Sequence, residues 1–218
     1  MPTPSLSRRS LCLAALAAAL LGAGQLRAAT DAQFAPAFAL FTQASGGDSA
    51  AIDKAADSFE ALLKAEPGNP VLMVYAGAAT SMRATTTMLP WKKMSYAEDG
   101  MAAQDKALAM LTPAHDAVVQ HNTPGSLEVR FVAANTFLAV PGFMNRGARG
   151  ARLLAEVLGS PLLANAPLGF QGSVWMRAAK LAVSEKRTDD ARNYLNLIVK
   201  ANAPQAAAAR EQLKALGS

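Results

Sequence analysis

Apolar residues recur at helical spacing along this chain from residue 34 onward, and the recurrence is itself repeated. Four segments carry an alanine, an aliphatic or aromatic residue (once alanine) four places on, a large aliphatic three further, and a proline shortly after. They are Ala55, Phe59, Leu62, Pro67; Ala103, Ala107, Met110, Pro113; Ala151, Ala155, Leu158, Pro161; and Ala191, Leu195, Ile198, Pro204. The leading alanines stand 48, 48 and 40 residues apart. Offsets of 0, 4 and 7 align three side chains on one helix stripe, the alanine leaves room for a neighbouring helix, and proline ends the element by removing a backbone donor. Each segment is thereby predicted to be the second helix of a hairpin.

A first helix is predicted ahead of each. Phe34, Phe38 and Phe41 form a stripe before the turn Gly46-Gly47-Asp48, and Val71, Val74, Tyr75, Ala78 and Met82 form another after Pro70. Val129, Val132, Ala133, Thr136 and Val140 make the third, and Trp175, Ala178, Ala179 and Ala182 the fourth. Asp48 or Ser49 and Thr188 stand where N-caps are needed, Pro70 and Pro124 lie at helix starts, and a last helix runs from near Gln205 to Gly217. No segment alternates convincingly with period two, so the expected fold class is all-α, without a sheet.

The stretch from Asp53 through Phe59, Leu62 and Pro67 to Pro70 resembles the second helix and exit turn of a tetratricopeptide repeat (TPR), and Trp175 through Pro204 resembles one complete unit. The resemblance covers nearly all of residues 32 to 216, the middle pairs departing from the family's period of about 34 residues through longer inserts. It implies an αα-hairpin solenoid, a TPR-like superhelix of about four helix pairs plus a C-terminal helix over residues 30–218. The usual work of such a fold is to bind a protein or peptide partner in a concave groove. First helices line that groove, which nominates Arg83, Arg130 and Asn135, with Tyr75 assigned to the core.

Two inserts break the repeat. Met88-Leu89-Pro90-Trp91-Lys92-Lys93-Met94 falls in the second pair and Val140-Pro141-Gly142-Phe143-Met144-Asn145-Arg146-Gly147 in the third, their prolines 51 residues apart. Each orders proline, aromatic and cation at the same joint, and equivalent joints of a solenoid emerge on one edge. Trp91, Lys92, Lys93, Phe143, Arg146 and Arg149 are therefore expected to cluster. Aromatic rings beside cations suit a base or sugar ring, an anionic head group, or an acidic partner segment. Rings folded back to seal their hairpins are the alternative. An anionic small molecule, glycan or lipid head group at these inserts is the second functional expectation.

Residues 1–29 read as a cleaved secretory signal: Arg8 and Arg9, an apolar run from Leu11 to Ala23, and a polar stretch ending in Ala28-Ala29. Thirteen apolar residues are too few for a spanning helix of about 20. A periplasmic or secreted location without stable membrane insertion follows. The paired arginines fit a twin-arginine signal as well as an ordinary Sec signal. Losing the leader removes three arginines from the 21 Lys and Arg, leaving 18 against 16 acidic residues, a net charge of +2. With no basic run longer than Lys92-Lys93, nucleic acid is not an expected partner.

Cys12, the single cysteine, falls in that leader, which excludes disulfide, thiolate-metal and cysteine-nucleophile chemistry from the remainder. His115 and His121, six residues apart, would diverge by about 120° on a helix and are expected at the surface. Gly142, Gly147 and Gly150 lack the strand that a dinucleotide fingerprint needs, and Glu98-Asp99 and Asp189-Asp190 read as helix-surface charges. No catalytic, cofactor or metal site is expected, and no enzyme.

Overall fold

The computed structural model describes residues 31–217, so the leader, with Arg8, Arg9 and Cys12, lies outside the described residues. The described residues form nine α-helices: α1 Asp31–Ser45, α2 Ser49–Ala65, α3 Pro70–Arg83, α4 Pro90–Ala109, α5 Gly125–Phe137, α6 Gly147–Leu158, α7 Leu168–Ser184, α8 Thr188–Lys200 and α9 Ala206–Gly217. The all-α expectation holds, with one addition. Between α4 and α5 the strands β1 Val118–Gln120 and β2 Thr123–Pro124 pair antiparallel across His121 and Asn122. Both loop residues have positive φ, 32° and 59°, as a two-residue hairpin turn of the type I′ class requires. The ribbon is too short to leave a period-two signal.

Local chemistry accounts for the helix starts. Asp48 caps α2 by accepting from the Ala50 amide at 2.9 Å, and Asn69 caps α3 by accepting from Val71 and Leu72, with Pro70 in the first helical position. Thr188 is the first helical residue of α8 rather than its cap, and Arg187 precedes it without a side-chain cap bond. The first insert is not a loop. Leu89 occupies the cap position, Pro90 starts α4, and the helix runs unbroken to Ala109, because proline at that position gives up an amide that would lack a partner anyway.

Each helix packs mainly on its neighbour in sequence, and α3 also packs on α1 and α5. Consequently α3 is enclosed: every residue from Pro70 to Ala79 is buried, as a helix apolar all round should be. Phe34, Phe59 and Tyr75 form the aromatic centre, with Phe59 and Tyr75 stacked at 4.9 Å between centroids and Phe34 edge-on to both at 5.6 Å. A second cluster of Ala179, Leu195, Ile198, Ala203 and Ala209 joins α7, α8 and α9. Arg177 of α7 donates to the Asn135 carbonyl of α5 at 3.1 Å, and burial pulls its guanidinium below the usual arginine value.

The closest approach is between α3 and α4 at Gly77 and Gly100. A Cβ on Gly100 would stand 2.4 Å from the Gly77 carbonyl oxygen and 2.2 Å from Ser81 Oγ, so the backbones touch where no side chain fits. Gly100→Ala is expected to lower stability by about 1–3 kcal/mol through overpacking. Gly147→Ala, where nothing lies within 4 Å of the new carbon, should be neutral or stabilising by up to about 1 kcal/mol. Urea melts of the two variants check the contrast, and similar midpoints would contradict the packing described.

Candidate functional site

Glu128 lies in the apolar run of α5 between Leu127 and Val129 and is completely buried. A carboxyl group there needs partners, and two elements converge on one of its oxygens to supply them. Tyr75 of α3 donates its hydroxyl to Glu128 Oε1 at 2.6 Å, and His121 Nε2, from the ribbon turn, lies 2.8 Å from the same oxygen. The imidazole rests on Phe38 at 4.7 Å and Phe34 at 5.1 Å between ring centroids, so α1 roofs the group. Sequence reasoning placed His121 at the surface. It is instead two-thirds buried, since the left-handed turn swings it inward off any helix. Burial of Tyr75, then the charge of Glu128 and the hydrogen bond to it, raise the phenol well above its usual range.

The cluster ties α3, α5 and the ribbon turn together, and Glu128 itself has no exposed surface. The signal that could have exposed it is one acidic residue inside a helix otherwise buried from Gly125 to Val129.

The nominated cations are mostly engaged within the chain. Arg83, expected in a groove, closes the last turn of α3 onto α2 with Nε 2.9 Å from Asp53, Nη2 2.5 Å from Asp57 and Nη1 3.2 Å from Glu60. Partial burial opposes its charge, but hydrogen bonds to Asp53 and Asp57 and the charges of Glu60 and Asp57 outweigh that and raise its pKa. The three acids repeat at helical spacing on one face of α2, so the fork fits by geometry. Arg130 pairs with Glu156 at 3.2 Å and donates to the Ser126 carbonyl. Asn135 is half-buried, and its carbonyl receives Arg177. Arg146 and Arg149 share Asp105, at 2.8 and 2.7 Å, and both lie over the Phe137 ring.

Trp91 and Phe143 are each 67% exposed, so neither ring folds back onto its hairpin. Every residue from Met88 to Ser95 is exposed, and the buried face of α4 begins only at Ala97. The segment that leads into α4 and forms its start is thus exposed, carrying Met88, Leu89, Trp91 and Met94 beside Lys92 and Lys93. The cations of the two inserts do not meet. Asp105, which holds Arg146, is 14 residues beyond Trp91 on the same helix, about 21 Å along its axis.

Compared with known protein families, curated proteins and solved structures, the chain matches none. No described helix is long and apolar enough to cross a membrane.

The Tyr75–Glu128 pair carries a pH signature. Folded Tyr75 keeps its proton where the unfolded phenol, near pH 10, releases it, so this contribution to stability is complete below about pH 10 and is lost as pH rises above it. Tyr75→Phe should cost about 1–3 kcal/mol at pH 8, because a buried carboxylate loses a donor, and the deficit should shrink by pH 11. Denaturant melts at both pH values test this; a deficit independent of pH would contradict it.

Proposed function

We propose that this chain is an exported, non-enzymatic adaptor that docks a protein or peptide partner, with the exposed start of α4 as its anchor. The observation that carries the reading is the exposed group Met88, Leu89, Trp91 and Met94. Exposed methionine and tryptophan gathered on one short segment, ahead of the buried face of their helix, are costly to leave uncovered and are the side chains that interfaces favour. Lys92 and Lys93 beside them favour a partner segment that pairs apolar side chains with carboxylates.

Helices packed on their sequence neighbours, with α1 on α3 and α3 on α5, support a TPR-like stack of hairpins, and the 1–29 leader supports a periplasmic or secreted location. The engagement of Arg83, Arg130 and Arg146 in internal pairs moves the centre of the partner surface from the groove positions to the Trp91 turn.

Crosslinking in a periplasmic extract, followed by capture of the tagged protein, should recover a partner that Trp91→Ala loses and Phe143→Ala retains. Removing a central tryptophan typically costs 2 kcal/mol or more, at least about 30-fold in affinity. Equal recovery by Trp91→Ala and the unaltered chain would overturn the assignment.

A further inference from the structure

Between the end of α4, the middle of α5 and the first turns of α6 the surface opens into a cleft of about 620 Å³, within the range of small-molecule sites. Its lining combines the half-buried Leu108 and Leu111 and the buried Leu153 with Arg130, Arg149, Arg152 and Glu156. Arg149 and Arg152 are three residues apart on α6 and so share a face.

The charges do not cancel. Glu156 serves Arg130, and Asp105 serves both Arg146 and Arg149, while Arg152 has no hydrogen bond or ion pair with any described residue. Among the residues lining the cleft, three guanidiniums therefore stand against the single carboxylate of Glu156 in a concave, partly apolar setting, where positive potential is focused. Arg130 and Arg149 each retain donor edges beyond their ion pairs, since a guanidinium carries five N–H groups. The first turn of α6 contains no acidic residue, so the helix dipole adds to the same sign.

We propose that this cleft binds a soluble amphipathic organic anion, a carboxylate or phosphate ester bearing a short apolar chain. Its oxygens accept from Arg152 and from the open edges of Arg130 and Arg149, and its chain lies on Leu108, Leu111 and Leu153. An oxyanion alone would leave the leucines uncovered; an apolar molecule alone would leave Arg152 unpaired. The site is independent of the docking turn, since Leu108 lies 17 residues beyond Trp91, roughly 25 Å along α4.

Calorimetric titration of the purified protein with decanoate and octyl phosphate, below their micelle concentrations, tests this. Saturable one-to-one binding of either amphiphile is expected, with inorganic phosphate and decanol each at least about tenfold weaker. Arg152→Gln, a change at an exposed and unpaired position, should weaken binding by about tenfold, as loss of a charge-assisted hydrogen bond does. Raising sodium chloride from about 50 to about 500 mM should weaken it several-fold. Arg210→Gln on α9, also exposed, and Trp91→Ala should leave it unchanged. The proposal is overturned by no saturable binding of either amphiphile, by equal loss in Arg152→Gln and Arg210→Gln, or by binding to phosphatidylglycerol vesicles without binding to the soluble acids. Loss of partner capture with intact amphiphile binding in Trp91→Ala, and loss of amphiphile binding with intact partner capture in Arg152→Gln, separate this site from the docking turn.

Discussion

The first half of the molecule is organised around one buried carboxylate. Glu128 sits on the buried face of α5, and a carboxyl group in that setting demands hydrogen-bonding partners. One partner comes from far along the chain, Tyr75 on α3, and one from close by, His121 in the ribbon turn, with Phe34 and Phe38 of α1 covering the imidazole. Apolar packing alone tolerates a helix sliding by a fraction of a turn. A 2.6 Å hydrogen bond does not, so the register of α3 on α5, and the inward bend of the ribbon, are set by this group.

Once α3 is held against α5, its remaining surface determines where the other helices go. The Gly77–Gly100 crossing brings α4 into backbone contact, and the acidic face of α2 closes on Arg83. Four of the five arginines from α1 to α6, Arg83, Arg130, Arg146 and Arg149, are engaged in ion pairs inside the chain. What remains outward is uneven: an apolar turn with two lysines at the start of α4, and a cationic cleft at its far end. A long helix with a solvated start and a crowded finish separates these two surfaces.

Much of the architecture was legible from spacing. The 0, 4, 7 stripes, the prolines and the Asp48 turn are local signals, and the helices they mark are present, because burial of a stripe and capping of an end are decided within a few residues. The pairings that fix the site were not. Tyr75 and Glu128 are 53 residues apart, and their meeting depends on how α3 lies across α5, which no local pattern encodes. His121 was read as a surface residue because a helix was assumed around it, whereas a two-residue turn with positive φ redirects its ring. Trp91 was read as part of an interruption, yet the proline before it begins a helix. Its exposure depends on where neighbouring helices end, again a tertiary matter.

The claim that Glu128 and Tyr75 act as one unit is tested most directly by a double-mutant cycle of Tyr75→Phe and Glu128→Gln, read from denaturant melts at neutral pH. The account requires the two changes to be strongly non-additive, with a coupling of about 1 kcal/mol or more, as contacting members of a buried hydrogen bond show. Additivity within about 0.3 kcal/mol would contradict it and would mean that the two groups are stabilised separately.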